Sequence, residues 1–227
     1  DIVGSPAGAA TTALTLQGLR ELEDEGVEMV FNTPNTQSRP GYLKMGWQVV
    51  GQMRPAMNVR SPLALPRVVR SRVPASLFPD DLNLGVPIGE WLDGGGLTRH
   101  PLPTGDGLLT AWTPDTLRWR FGSAVQPCRV VDDGRAAVVV ERRRRGQVTE
   151  LVCLLALGSA AATDRLLRRT VREAGADVAL RLGRPRPHAG FLPVPGAGPT
   201  LTCRMLCPDP VPPLADWDLQ LGTVVLF

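Results

Sequence analysis

The chain has 227 residues, a hydrophobic share of 43% and a formal net charge of +3, which is enough to bury a core as one large domain or two small ones. No run of about eighteen apolar residues occurs, and neither a basic helix face nor a Cys-x-x-Cys pair is present, so we predict no membrane, no nucleic-acid partner and no zinc site. Without a recognisable secretory signal, the expected location is the cytoplasm.

The first residues and the cysteines lead to two further expectations. Residues 1–3 are typical of a strand entering a loop, and the chain does not open on Met, so we expect it to be truncated, with a segment upstream. The cysteines, Cys128, Cys153, Cys203 and Cys207, lie in strand-like or proline-flanked stretches. They are expected to be free thiols, with disulfides as the alternative.

Apolar residues recur at three-residue intervals over 9–25, which predicts an amphipathic helix with one buried face. Gly26 is the expected end of that helix. The elements predicted after it are a core strand at 27–31, a short helix from a candidate N-cap at Ser38 to Met45, and a strand at 47–53.

The stretch 54–112 is rich in proline and glycine, and we predict only a short helix at 88–92 within an otherwise irregular linker. Two hairpin turns are predicted further on, at Asp132–Gly134 and Arg142–Gly146, and the second would place a run of four arginines in solvent. The remaining predicted elements are helices at 114–119 and 161–173 and strands at 127–131, 135–141, 148–156, 178–182 and 200–206.

One segment carries a pattern with chemical content. It reads Asn35-x-x-Ser38-x-x-x-Tyr42-x-Lys44-x-Gly46-Trp47, and it contains the only tyrosine of the chain. In its spacing it resembles the signature of the GCN5-related N-acetyltransferases (the GNAT family), in which an Asn, a small residue, a Tyr and a Gly-aromatic pair follow the fifth strand. The resemblance covers residues 1–55.

The resemblance implies roles for this segment. In that family the asparagine contacts the pantetheine arm of acetyl-CoA, and the tyrosine hydroxyl acts as a general acid at the thioester sulfur. This implies that Asn35 and Ser38 bind the co-substrate and that Tyr42 is catalytic. Such a role is chemically reasonable, because an amine attacking a thioester builds charge on the departing thiolate, which a phenol can protonate. The structural alternative is that Tyr42 packs on the sheet, Gly46 ends the helix and Trp47 lies in the core.

A second family element is a loop before the long helix, whose amides hold the CoA pyrophosphate at the helix N-terminus. The best match here is Ser5–Ala10, in which Gly8 and Ala10 fill the two small positions, so the resemblance implies that they bind acetyl-CoA. Ser5 replaces the Arg or Gln of the family, and Pro6 lacks an amide hydrogen. The family's first strands and helices, with the acceptor pocket, would lie upstream.

The implied fold class is α/β (α+β), a mixed sheet with flanking helices of the acyl-CoA N-acyltransferase type. We predict three segments: the carboxyl-terminal half of an acetyl-CoA domain at 1–56, an irregular linker at 57–112 and a second α/β domain at 113–227.

A weak internal repeat supports the second domain. Glu25-Gly26-Val27 matches Ala174-Gly175-Ala176, and Gly46-Trp47 matches Gly190-Phe191. The hypothesis is that the chain holds two tandem GNAT-like units, the first incomplete. Generic helix and strand content is the alternative explanation.

The leading functional hypothesis is an N-acetyltransferase that moves the acetyl group of acetyl-CoA to a small-molecule or peptide amine by direct attack in a ternary complex. No competing nucleophile is predicted, because His100 and His188 are isolated and no Gly-x-Ser-x-Gly elbow occurs. One alternative is a catalytically inactive GNAT-like binding module. Another is a C-terminal unit that binds the acceptor or assembles a homo-oligomer.

Overall fold

The structure is a computed structural model that describes residues 6–61, 64–70, 75–76, 80–123, 127–183, 189–194 and 198–224. Ser5 and His188, which the sequence analysis singled out, lie outside the described residues. In chain order the described elements are α1 (Pro6–Asp24), β1 (Met29–Asn32), α2 (Arg39–Lys44), β2 (Gln48–Gln52), β3 (Pro55–Val59), α3 (Leu65–Arg70), α4 (Ile88–Asp93), α5 (Gly96–Arg99), α6 (Pro114–Phe121), β4 (Arg129–Asp132), β5 (Ala136–Arg145), β6 (Val148–Gly158), α7 (Ala160–Glu173), β7 (Val178–Leu182), β8 (Leu192–Pro193), β9 (Thr200–Met205) and α8 (Leu221–Val224).

The first of two compact units comprises Asp1–Met53 and Gly198–Trp217. Its three-stranded sheet has the order β1-β9-β2, and β9 runs antiparallel to both neighbours. The long helix α1 ends at Asp24, and the chain leaves it through Gly26, as the sequence predicted. The φ of Gly26 is 80°, in the left-handed region that favours glycine. The middle strand of this sheet, β9, thus comes from near the other end of the chain.

The second unit comprises Arg54–Ala197 and Asp218–Phe227. Its six-stranded sheet has the order β4-β5-β6-β7-β3-β8, in which β6 and β7 are parallel and the other neighbours antiparallel. The amphipathic helix α7 packs on this sheet, where Leu166 and Leu167 are buried with Leu151 and Phe191. A mixed sheet flanked by helices is thus confirmed as the fold class.

The stretch predicted as irregular contains more regular structure than expected. Besides the predicted helix at 88–92, which is α4, it holds β3, α3 and α5. Strand β3 begins on Pro55, a position where a missing backbone N–H is tolerated, and only Ala56 of the strand is buried. Its sequence therefore lacks the apolar alternation by which strands are recognised. The three domains predicted at 1–56, 57–112 and 113–227 stay a prediction.

The second predicted hairpin turn was wrong in its placement. Strand β5 continues through Arg145, and the turn falls on Gly146, which has a φ of 60°. Three of the arginines are stabilised in the strand by ion pairs with acidic side chains. The ion pairs are Arg143–Glu141 at 3.1 Å, Arg144–Asp80 at 2.8 Å and Arg145–Glu150 at 2.6 Å.

No described helix combines the length and the apolar composition that crossing a membrane requires.

Candidate functional site

Asn35 caps the helix that carries Tyr42. Its Oδ1 accepts hydrogen bonds from the backbone amides of Gln37 and Ser38, at 3.0 and 2.8 Å, and its carbonyl oxygen accepts one from the amide of Arg39 at 3.0 Å. These bonds satisfy donors that the first turn of a helix leaves unpaired. The predicted N-cap, Ser38, makes no side-chain cap bond, so the capping side chain is Asn35 instead.

The cap limits what Asn35 can offer to a ligand. The Ser38 hydroxyl also donates to its Oδ1, at 3.0 Å, so that oxygen already serves three protein donors. Its Nδ2 makes no hydrogen bond within the described ranges. A ligand would therefore meet Asn35 as a hydrogen-bond donor, and Ser38 would act by fixing the asparagine.

The other end of α2 is closed by a Schellman motif. Gly46 has a φ of 86°, its amide donates to the carbonyl of Leu43 at 3.1 Å, and the amide of Trp47 donates to the carbonyl of Tyr42 at 3.2 Å. The rings of Tyr42 and Trp47 meet edge to face, with centroids 5.1 Å apart and planes at 73°. The spacing from Tyr42 to Trp47 therefore has a structural cause, as the structural alternative proposed.

The contact with Trp47 fixes the tyrosine ring without engaging its hydroxyl. Trp47 is 7% exposed and Tyr42 is half-buried. In the described part of the chain neither the Tyr42 hydroxyl nor the Trp47 indole N–H has a hydrogen-bond partner. Packing on Trp47 thus fixes the Tyr42 ring, while none of the described residues occupies its hydroxyl.

Alternate residues of β9 tie this segment to the sheet. Because side chains two apart on a strand share a face, three polar residues of β9 can reach one side of the unit together. The contacts are Arg39 Nη1 to Thr200 Oγ1 at 3.1 Å, Thr202 Oγ1 to the Asn32 side-chain oxygen, and Arg204 Nη1 to the Met45 carbonyl. They hold both ends of α2 and the end of β1.

These β9 residues were not predicted from the sequence, because 161 residues separate Arg39 from Thr200 and 159 separate Met45 from Arg204. One signal was present: the pattern Thr200-x-Thr202-x-Arg204 places polar side chains on one face of a predicted strand. A buried threonine such as Thr202, which is fully inaccessible, is expected to bind a polar partner.

Strand β1 is the outer strand of its sheet. Its four residues pair with β9 on one edge, and no strand of the described chain pairs with the other. Backbone amides on an open edge can donate to a ligand carbonyl. A strand edge that no described strand covers therefore precedes the helix that bears Tyr42.

Gly8 and Ala10 lie in a helix and not in the predicted loop. Helix α1 already begins at Pro6, so the predicted loop over 5–10 was wrong for its described part. Gly8 lies in the first turn, where amides lack intrahelical partners, whereas Ala10 lies beyond it. Their predicted role toward pyrophosphate stays a prediction.

An open cleft of about 600 Å³ lies at the C-terminal end of α2. Its lining comes from Gly46, Gln48, Arg204, Met205, Cys207, Pro208, Asp209, Pro210 and Val211. Neither Asn35 nor Tyr42 belongs to this lining, so the cleft is separate from the predicted site.

In the second unit His100 is not isolated, contrary to the sequence prediction. It is 3% exposed, stacks on Trp91 and shares a 2.8 Å hydrogen bond between its Nε2 and Asp132. Burial alone would raise the pKa of Asp132, but hydrogen bonds from Trp91, the Gly134 amide and His100 outweigh it and lower the pKa to about 2. The carboxylate thus organises a structural network.

The buried cysteines are poor nucleophiles. All four are free. Burial, with a contribution from nearby Glu141, raises the pKa of Cys128 to about 12, and burial raises that of Cys153 to about 12. A thiol that stays protonated at neutral pH does not attack. These two residues therefore serve packing.

Comparison with known proteins supports the fold. No protein-family model and no curated protein sequence matches the chain. The crystal structure of a GCN5-related N-acetyltransferase from Anabaena variabilis is similar, with a TM-score of 0.51 and 11% identity over 90% of this chain and 52% of that one. This likeness shows that the chain has the GNAT fold, as the sequence resemblance implied.

Two further solved structures give lower scores. One is a GCN5-related N-acetyltransferase from Kribbella flavida, with a TM-score of 0.49 and 16% identity over 86% of this chain and 48% of that one. The other is a probable N-acyltransferase from Enterococcus faecalis, with a TM-score of 0.49 and 10% identity over 84% of this chain and 48% of that one. The chain spans about half the length of the structures it matches.

Proposed function

We propose that the chain is part of a GNAT-type N-acetyltransferase and that α2 of the first unit carries its acyl-transfer site. The observation that supports this most is the state of Tyr42. The helix bearing it is capped at both ends and tied to β9, its ring rests on Trp47, and no residue of the described ranges binds its hydroxyl. A phenol held in this way is suited to proton transfer.

The co-substrate is acetyl-CoA. Asn35 would donate from Nδ2 to a carbonyl of the pantetheine arm, and Ser38 would hold Asn35 in place. The first turn of α1, which contains Gly8, would face the pyrophosphate, because unpaired amides and the helix dipole favour anions. Ala10, in the next turn, would also bind acetyl-CoA, as the sequence resemblance implies.

The chemistry follows from the groups present. The amine nitrogen of the acceptor forms a bond to the thioester carbonyl carbon, and the carbon–sulfur bond breaks. The departing sulfur takes the proton of the Tyr42 hydroxyl, and the proton lost by the nitrogen returns to the phenol through solvent. Amides on the open edge of β1 would stabilise charge on the carbonyl oxygen. The acceptor is a small-molecule or peptide amine.

Calorimetric titration of the full-length protein with acetyl-CoA tests the proposal. We expect saturable binding that Asn35→Ala weakens, since the variant loses the Nδ2 donor. Lys44→Ala is the control, because that side chain is exposed at the end of α2 and has no role in the proposal. A full-length protein that binds no acetyl-CoA would contradict the proposal.

A second candidate, a catalytically inactive GNAT-like binding module, is favoured by the start of α1. Pro6 supplies no amide hydrogen there, which weakens an anion site. The two candidates differ in turnover. A protein that binds acetyl-CoA but acetylates no member of a broad panel of amines would be the module.

We also propose that the two units are tandem GNAT-like repeats. Gly26 and Gly175 both have positive φ after a helix, and Gly46 and Gly190 both have positive φ before a buried aromatic residue. The order β7-β3-β8 in one sheet corresponds to β1-β9-β2 in the other, with an antiparallel middle strand in each. Assembly into a homo-oligomer stays a prediction.

A further inference from the structure

The open cleft at the C-terminal end of α2 contains a charged side chain that the proposed acetyl transfer does not use. Arg204 is half-buried in its lining, together with Gly46 and the segment that follows β9. The next residue, Met205, pairs with Met29 at the start of β1, whereas Asn35 comes after the last residue of that strand. The cleft and the proposed acetyl-CoA contact therefore lie toward opposite ends of β1.

Arg204 is held at one of its three guanidinium nitrogens. Its Nη1 donates to the carbonyl of Met45 at the end of α2. The same nitrogen packs on Gly46, where an added Cβ would lie 3.6 Å away. Within the described ranges, its Nε and Nη2 make no hydrogen bond and no carboxylate forms an ion pair with it. Arg204 is thus oriented by the protein and keeps a positive charge with spare donors.

The two spare nitrogens of Arg204 form one edge of the guanidinium plane. The N–H groups of Nε and Nη2 on this edge are parallel, and their spacing matches the two oxygens of a carboxylate. A single carbonyl oxygen would leave one of them unpaired. The ligand that fits this edge is therefore an anion with two coplanar oxygens.

The other polar side chains of the cleft limit the charge of the ligand. Gln48 is exposed, and its amide makes no hydrogen bond in the part of the chain that the structure describes, so it offers a further donor. Asp209 supplies a carboxylate to the same lining, and it accepts a hydrogen bond from Cys207 Sγ at 3.4 Å. Because Asp209 repels negative charge, a singly charged anion is favoured over phosphate.

The rest of the lining is suited to an apolar body. Its side chains are those of Met205, Pro208, Pro210 and Val211. Covering apolar side chains with an apolar group removes both from water, which is favourable. The cleft volume of about 600 Å³ is within the range of small-molecule sites.

We propose that this cleft binds a monocarboxylate with an apolar body. The carboxylate binds the Nε and Nη2 edge of Arg204, the Gln48 amide donates to one of its oxygens, and the apolar body covers Met205 and the two prolines. The site goes beyond the proposed acetyl transfer and does not depend on it, because neither Asn35 nor Tyr42 lines the cleft.

Calorimetric titration of the full-length protein with phenylacetate tests the site. Phenylacetamide is the matched probe, because it has nearly the same shape without the charge. We expect saturable binding of phenylacetate and binding about tenfold weaker for phenylacetamide and for inorganic phosphate, since a charged bidentate pair is stronger than neutral hydrogen bonds. Absence of saturable phenylacetate binding, or equal affinity for either of the other two probes, would overturn the proposal.

A pair of variants on β2 locates the site without altering Arg204. Gln48→Glu places a negative charge in the lining and should weaken phenylacetate binding about tenfold. Gln52→Glu is the control, because Gln52 is exposed on the same strand but lies outside the lining, and its affinity should match that of the wild type. An equal loss in both variants, or no loss in Gln48→Glu, contradicts the site.

The thiol of Cys207 gives a second readout inside the cleft. It is half-buried, whereas the other free cysteines are buried, namely Cys128, Cys153 and Cys203. Iodoacetamide should therefore alkylate Cys207 first. Phenylacetate at about ten times its dissociation constant should slow this alkylation about tenfold, by occupying the cleft. An alkylation rate that phenylacetate leaves unchanged would show that the ligand binds elsewhere.

These readouts are independent of acetyl transfer. A protein that acetylates no amine still binds phenylacetate if the cleft is a carboxylate site, and an active acetyltransferase that fails to bind it refutes the cleft alone.

Discussion

The two units differ in the contacts that hold each of them together. In the first, β9 lies between β1 and β2 and binds the α2 segment through side-chain hydrogen bonds of Thr200, Thr202 and Arg204. In the second, β3 lies between β7 and β8, and an apolar core packs β5, β6 and α7. Polar contacts are directional and individually weak, whereas apolar burial is non-directional and larger in sum.

This difference indicates a division of roles. The first unit positions the half-exposed helix that bears Tyr42, and directional bonds are suited to positioning. The second unit carries most of the buried apolar surface among the described residues. Substitutions in the second unit should therefore change the stability strongly, and those in the first unit should mainly change the α2 segment.

The largest effect is expected in the core of the second unit. Leu151→Ala removes a fully buried side chain of β6 and should lower the free energy of unfolding by about 2–5 kcal/mol. Leu43→Ala is the matched control, since Leu43 is 41% exposed on α2 and should cost no more than about 0.5 kcal/mol. Urea denaturation measures both. Equal losses would contradict the division of roles.

The next effect is the pH dependence of the Asp132 network. Its pKa in the folded state is about 2, below the ordinary value of about 4, so the charged carboxylate stabilises the fold above pH 4 and this contribution is lost as the pH falls toward 2. Asp132→Asn should therefore lower stability by about 2 kcal/mol near pH 6, through hydrogen bonds lost to a charged group, with the difference vanishing near pH 2. A difference that persists unchanged at pH 2 would refute the role of the charge.

A smaller effect is expected at the end of α2. Gly46→Ala forces a side chain into a backbone with φ of 86° and should cost about 1–2 kcal/mol. Gly18→Ala is the control, because Gly18 lies inside α1 with open space around it and alanine there should stabilise the helix by up to about 1 kcal/mol. We expect Gly46→Ala to lower the thermal unfolding temperature and Gly18→Ala to raise it. A change in the same direction for both variants would argue against the Schellman motif.

The smallest expected effect concerns Asn35, which caps α2 and is proposed to bind acetyl-CoA. Asn35→Ala should destabilise by about 1 kcal/mol through loss of the cap. Asn35→Asp keeps an oxygen that caps the helix but loses the Nδ2 donors, so it should retain stability while weakening acetyl-CoA binding. Circular dichroism and calorimetry measure the two properties. If the aspartate variant binds acetyl-CoA as well as the wild type does, the proposed contact between Asn35 Nδ2 and acetyl-CoA is contradicted.

Much of the secondary structure was predictable because local signals agreed with it. The amphipathic pattern of α7 and the glycines after α1 and α7 act within a few residues. By contrast, β3 went unrecognised because it is bounded by proline and buries only Ala56. The arginines of β5 were placed in a turn because their acidic partners are known only once the strands pair.

The candidate site was predictable only in part. The segment from Asn35 to Trp47 could be recognised from spacing, but spacing could not distinguish a cap from a ligand contact, and the structure gives Asn35 both a cap and a spare donor. The β9 contacts depend on a pairing between residues far apart in sequence.

In the proposed mechanism Tyr42 transfers a proton during acetyl transfer. Tyr42→Phe keeps the ring that contacts Trp47 and removes only the hydroxyl, so acetyl-CoA binding should be unchanged while the turnover rate with an amine acceptor falls by about a hundredfold or more. Trp119→Phe, at a side chain 78% exposed on α6, is the control and should leave the rate unaltered. A Tyr42→Phe protein that acetylates its acceptor at the wild-type rate across the pH range would contradict the account.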